Sequence, residues 1–224
     1  MLKDNENLNI AYEYSNKNFL HGEIFDILKG DNELLKPIAV LNLLTINTES
    51  EAELLLSHLT GVDGKIREVV SFKITELYPK CSRFLNSPEL FADALCDVNP
   101  NVVRNILELL KNFEIKQELI MARVEEILNE VDTICSKFKK NREKSHALNI
   151  KLFNLYWCLE AIYIVVKETD ERLNSILLRC SEMYDYTIRE KVAKIAVKAK
   201  GAPEKLLQKL HDDDNYYVRR YLNC

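Results

Sequence analysis

The sequence is poor in turn-formers, with five glycines and five prolines in 224 residues. That leaves little material for β-hairpin turns or for glycine-rich loops that cradle phosphates, and it favours long helices joined by short connections. Alternation of strand period is hard to find, so the chain reads as all-α. No G-x-S-x-G, P-loop or dinucleotide fingerprint occurs. The four histidines (His21, His58, His146 and His211) are scattered, and no two have the i, i+4 spacing of helix-borne ligands. No metal and no cofactor are therefore expected. The six cysteines at 81, 96, 135, 158, 180 and 224 include no CxxC pair, and are expected to act as small buried apolar residues in a reducing compartment. Strong charge of one sign is also missing. The net charge is −4 and the pI about 5.7, which counts against a dedicated nucleic-acid binder. The opening stretch MLKDNENLNIAYEYSNKN has no apolar core, and no apolar run approaches the length of a membrane span. A cytoplasmic chain with no membrane partner is the expectation.

What the sequence does have is a returning phrase. DGKIREVV stands at 63–70, NPNVVRNI at 99–106, DYTIREKV at 185–192 and NYYVRRYL at 215–222. Taking the basic residue as a marker gives Lys36, Arg67, Arg104, Lys151, Arg189 and Arg219, spaced by 31, 37, 47, 38 and 30 residues. Periods in this range belong to stacked supersecondary units. Six helix pairs are predicted, at about 17–46, 49–78, 81–113, 115–167, 170–200 and 203–224, behind a polar arm over 1–16, all in a single domain. The expected stops are Gly30 after the first helix, Gly61 and Pro79 around the second pair, and Gly201 with Pro203 after the fifth. Thr48 with Glu51 forms a capping-box pattern, and Ser87-Pro88 and Asn99-Pro100 put a capping side chain before a proline. Asp63, Asp185 and Asn215 sit where an oxygen accepts from the first N–H groups of the second helix. Arg67, Arg104, Arg189 and Arg219 are then expected to reach an acidic turn residue of their own or the next unit, as a structural ladder.

On these phrases the chain resembles HEAT repeats, whose second helix begins after a D-x-x-V-R-like phrase. The resemblance extends over roughly 17–224. The second, third and fifth units match best. The first and fourth carry Lys36 and Lys151 in place of Arg, and the sixth is short, which leaves five or six units. The resemblance implies a right-handed α-solenoid with the second helices lining a concave face. It also implies a non-catalytic scaffold or adaptor that holds a protein or peptide partner. The architecture also hosts iron-dependent deoxyhypusine hydroxylases, but this chain lacks their His-Glu dipeptides. It hosts alkylpurine DNA glycosylases as well, and that alternative would use Lys139, Lys140, Arg142 and Trp157.

Three features remain as candidate sites. Five residues on from the markers lie Leu41, Phe72, Leu109, Tyr156 and Lys194, which would form an apolar groove ending in a cation if they face the concave side. The run SKFKKNREK at 136–144 supplies Lys137, Lys139, Lys140, Arg142 and Lys144, a basic patch suited to phosphates or an acidic peptide. Tyr216, Tyr217 and Tyr221 crowd the last helix and would either pack inward or leave an adhesive edge for a partner or a second copy. Trp157 lies in the apolar LFNLYWCLEAIYIVV and is expected in the core. The carboxylates of ARVEEILNEVD stand at salt-bridge spacing on a solvated helix face, so no catalytic residue is assigned.

Overall fold

The computed structural model describes Tyr12, residues 17–137 and residues 145–222. The polar arm over 1–16 and most of the basic run therefore lie outside the described residues. The described chain is α-helical, with one isolated bridge between Glu168 and Lys200 and no β-strand. It packs into two compact units, Met1–Ala94 with Asn99–Asn112, and Leu95–Val98 with Phe113–Cys224.

The first unit holds α1 (His21–Lys29), α2 (Lys36–Leu41), α3 (Glu49–Ser57), α4 (Gly64–Cys81), α5 (Pro88–Ala94) and α6 (Pro100–Leu109). Here the second helices α2, α4 and α6 pack side by side in that order, while α1 packs on α2 and α3. The second unit holds α7 (Gln117–Lys137), α8 (His146–Val165), α9 (Glu171–Cys180), α10 (Tyr186–Lys198), α11 (Glu204–His211) and α12 (Tyr216–Arg219). It repeats the arrangement, with α8, α10 and α12 in one row and α7 packed on both α8 and α9. Successive helix pairs stacked in two layers make this an all-α helical-repeat solenoid.

The helices follow from periodicity and caps. In α9 the buried residues Leu173, Ile176, Leu177 and Cys180 recur at i, i+3, i+4 and i+7, the spacing of one helix face. Asp63 accepts from the N–H groups of Lys65 and Ile66, Asn99 from Asn101, Asp185 from Thr187 and Asn215 from Tyr217. Thr48 accepts from the Glu51 N–H, and Ser145 and Asp170 cap α8 and α9 in the same way. Each such cap stabilises its helix by about 1 kcal/mol.

Helix α4 runs through Pro79 to Cys81 rather than stopping before it. A proline in the last turn removes only one ladder bond, and buried Leu77 and Cys81 hold the turn in place. The other elements are mostly shorter than expected, and α12 is a single turn. Gly201 takes φ +88°, and an added Cβ would meet Thr169 Oγ1 at 3.3 Å, so glycine is required where α10 ends against the end of α8.

Helix α8 is apolar almost all round because α7 covers one side and α10 the other. By length and composition alone it suffices to cross a membrane, which corrects the expectation that no run comes close. In the structure Leu148, Leu152, Leu155, Cys158, Leu159 and Ile162 are buried in the core of the second unit.

Candidate functional site

The second helices of the first unit shape an open groove of about 490 Å³. Helix α2 contributes Pro37, Ile38 and Leu41, α4 contributes Lys65, Glu68, Val69 and Phe72, and α6 contributes Asn101, Arg104 and Asn105. Leu41 and Phe72 are each 49% exposed, a large apolar surface to leave in water on two adjacent helices. Folding them away is prevented by register: Ala39 and Val40 on α2, and Val70 and Ile74 on α4, already fill the core side.

The polar half of the groove is anchored by Glu68. Its carboxylate accepts from Asn99 Nδ2 and Asn101 Nδ2, each at 3.2 Å, and pairs with Lys65 at 3.5 Å. The Asn99 bond outweighs burial and, with Lys65 and Asn101, holds the Glu68 carboxyl below the ordinary glutamate value. Behind it, Asn105 Nδ2 donates to Ser71 Oγ at 2.9 Å, and Thr75 Oγ1 donates to the Asn105 carbonyl at 3.0 Å. These bonds lock α6 against α4. Against the single carboxylate of Glu68 the lining sets two cations, exposed Lys65 and Arg104, so the groove's rim carries net positive charge.

Of the five predicted groove residues, Leu41 and Phe72 line this groove. Leu109 does not: it is 1% exposed. The cause is a one-residue shift of the marker. Asn99 lies 36 positions after Asp63, and Asn101, Arg104 and Asn105 lie 36 after Lys65, Glu68 and Val69. The structural partner of Phe72 is therefore exposed Glu108, and Leu109, 100° further round the helix, points into the core. Tyr156 and Lys194 belong to the second unit. Tyr156 is half-buried under the Lys191 ammonium at 4.6 Å and meets Trp157 edge-on at 5.2 Å. Trp157 is half-buried rather than fully in the core. Lys194 pairs with Glu190 at 3.2 Å and lies 5.2 Å over the Tyr221 ring. Burial lowers its pKa, but the bonds to Tyr221 and Glu190 outweigh burial and the net shift is upward.

The same shift removes Arg104 from the ladder. The residue whose N–H bonds to the capping residue's carbonyl is Arg67 over Asp63, Arg189 over Asp185 and Arg219 over Asn215, but Val103 over Asn99. Arg104 stands one step on, in the groove, donating to Asn101 Oδ1 at 3.4 Å. The three in-register arginines share a further bond, to backbone carbonyls, beside the expected acidic partner that Arg189 finds in the next unit. Arg67 Nη1 donates to the Gly61 and Val62 carbonyls at 2.8 and 2.9 Å. Arg189 Nη1 donates to Met183 and Tyr184 at 2.9 Å each, and Arg219 Nη1 donates to the Asp213 carbonyl. Each thus satisfies carbonyls of the turn before its own helix. Arg189 also forks onto Asp213 at 2.7 and 3.0 Å and reaches Asp214 at 2.9 Å. In the first unit Lys36 is buried and bonds Glu33 at 2.8 Å. In the fourth pair Lys151 bonds Glu130.

Lys139, Lys140, Arg142 and Lys144 lie outside the described residues, as does the Lys137 side chain. Tyr216 and Tyr217 are exposed and stack edge-on at 5.8 Å, whereas the Tyr221 hydroxyl donates to Glu190 at 3.0 Å. Among the described residues no three His, Cys, Asp or Glu side chains are grouped to hold a metal ion.

No protein-family model matches the chain, and no curated protein matches it in sequence. Among solved structures it is similar to a designed armadillo repeat protein, at 11% identity and a TM-score of 0.46, with 91% of this chain and 97% of that one covered. It is similar also to an engineered protein from a structural genomics consortium, at 12% identity and a TM-score of 0.46, with 89% and 94% covered.

Proposed function

We propose that this chain is a non-catalytic scaffold or adaptor of HEAT-like repeats that holds a peptide segment of a partner protein along α2, α4 and α6. The observation that carries the reading is the groove itself: α2 and α4 bring Leu41 and Phe72 out of the core, beside a polar edge that α6 completes. The ligand that fits is a short segment with an apolar side chain for the Leu41–Phe72 cleft and a carboxylate for Lys65 and Arg104. Asn101 stands at the edge of the groove, where it can meet the segment's backbone. Cytoplasmic placement, read from cysteine usage, belongs to the same proposal.

The test is selection from a displayed peptide library on the full chain, followed by titration of the best peptide into the wild type and Phe72→Ser. Removing half a phenylalanine surface from the contact costs about 1–2 kcal/mol, or about tenfold in Kd. Enriched peptides that combine an apolar residue with an acidic one, and that weaken with Phe72→Ser, support the proposal. A library that yields no enrichment, or peptides indifferent to both Phe72→Ser and Leu41→Ser, overturns it. So does a Phe72→Ser chain that no longer folds, since the ring would then be core.

A further inference from the structure

Cysteine usage in the sequence suggests six separate thiols, yet two of them meet. Cys96, in the connection after α5, places its Sγ 3.7 Å from Cys158 Sγ on α8, and both belong to the second compact unit. Their environments differ in a useful way. Cys96 is half-buried and accessible, while Cys158 is fully enclosed. We propose that Cys96 and Cys158 form a peroxide-sensitive thiol pair, Cys96 being the nucleophile that meets the oxidant and Cys158 the thiol that resolves it into an intramolecular disulfide.

The geometry sets the order of events. Hydrogen peroxide meets the partly exposed Cys96 ahead of Cys158, which has no exposed surface. The Cys96 thiolate attacks the nearer peroxide oxygen. The O–O bond breaks, leaving a sulfenic acid on Cys96 and hydroxide, which takes up a proton to become water. Cys158 then attacks the Cys96 sulfur: the S–S bond forms, the S–O bond breaks, and the hydroxyl leaves as a second water with the Cys158 proton. Two thiols and one peroxide become one disulfide and two waters, so both sulfurs are oxidised and both peroxide oxygens reduced. The hydrogen bond with Cys96, together with burial, pushes the Cys158 thiol well above its ordinary pKa, against a smaller opposing pull from Arg123. Cys158 therefore keeps its proton at rest, which favours half-buried Cys96 as the attacking sulfur. The sulfurs need to close by under 2 Å to reach bonding distance, within the reach of side-chain rotation. By contrast Cys180 is enclosed, and burial pushes its thiol up to about 12.

The experiment treats the reduced full chain with a few equivalents of hydrogen peroxide. Remaining thiols are then alkylated under denaturing conditions, and tryptic peptides are mapped by mass spectrometry. Residues 84–104 and 152–167 are released as separate peptides with one cysteine each. The expected product joins these two, disappears on treatment with a thiol reductant, and forms ahead of any oxidation at Cys81 or Cys180. Cys158→Ser is expected to convert the bridge into a dimedone-reactive sulfenic acid on 84–104, and Cys96→Ser to abolish it. The proposal is overturned if 84–104 stays reduced while Cys135 or Cys224 oxidises. It is equally overturned if bridges scatter among all the cysteines, or if the sulfenic acid persists on Cys96 in the wild type without closing onto Cys158. The wild-type map decides alone, so a variant that folds poorly does not spare the proposal.

Discussion

Replacing Arg189 by alanine tests the three-way link that closes the α10 turn. Its side chain is 13% exposed and that of Asp213 8%. The guanidinium forks onto Asp213 and also supplies donors to the Met183 and Tyr184 carbonyls. Arg189→Ala strands an enclosed carboxylate and strips two carbonyls of their donor. Breaking a buried pair from one side costs about 3–5 kcal/mol. The Asn215 N–H still bonds Asp213 at 2.8 Å, so the lower end applies, about 3 kcal/mol. For a chain of this size that corresponds to a fall of about 6–12 °C in Tm by circular dichroism. The exposed Arg104→Ala, the matched control, is expected to stay within about 0.5 kcal/mol of wild type. A double-mutant cycle with Asp213→Ala should return a coupling of about 1–3 kcal/mol.

The deficit also has a pH signature. Burial pushes the Asp213 carboxyl up, but Arg189 and the Asn215 N–H outweigh it, and the net shift is below the ordinary value of 3.8. A depressed folded pKa gives stability that is full above that ordinary value and is lost as pH falls through the folded one. The difference between wild type and Arg189→Ala is therefore constant near neutrality and shrinks in acid. A fall of less than about 2 °C, equality with Arg104→Ala, or a deficit that ignores acid would refute the assignment of Arg189 as the turn's lock.

Three further outcomes follow from the same geometry. Leu109→Ala should destabilise the first unit by about 2–5 kcal/mol, read by urea denaturation, while Phe72→Ser, at a half-exposed site, should cost under about 1 kcal/mol. Asp63→Ala removes the acceptor of two α4 N–H groups and should cost about 1 kcal/mol, with amide exchange accelerated at Lys65 and Ile66. The combined change of Lys139, Lys140 and Arg142 to Ala should leave affinity for a groove peptide unchanged, whereas a salt-dependent loss of nucleic-acid retention on a filter would move the function to that run.

The repeat, the all-α class and the cap positions were legible in the sequence because each depends on local chemistry. Asp or Asn before a second helix caps it wherever the chain goes, and residues at i, i+3, i+4 and i+7 share a face in any helix. The marker arginine was legible as a repeated feature, and for Arg189 so was its acidic partner in the turn of the next unit, Asp213 with Asp214. The acceptors the three arginines share were not legible: they include backbone carbonyls of the preceding turn at Gly61, Met183 and Asp213, and carbonyls leave no trace in side-chain identity. The slip at Arg104 has the same origin: V-R looks alike at four or five positions after the cap, and only the backbone bond from Val103 to Asn99 sets the phase. One residue of phase separates a groove position from the core, which is why Phe72 is exposed and Leu109 is enclosed. The thiol pair lies furthest from sequence reasoning. Cys96 and Cys158 stand 62 residues apart with no motif between them, and only the packing of the α5–α6 connection within the second unit brings their sulfurs together. Local identity thus determined which helices form and where they begin. The choice of which side chains meet across those helices was left to packing, because that depends on rotation and register between elements distant in the chain.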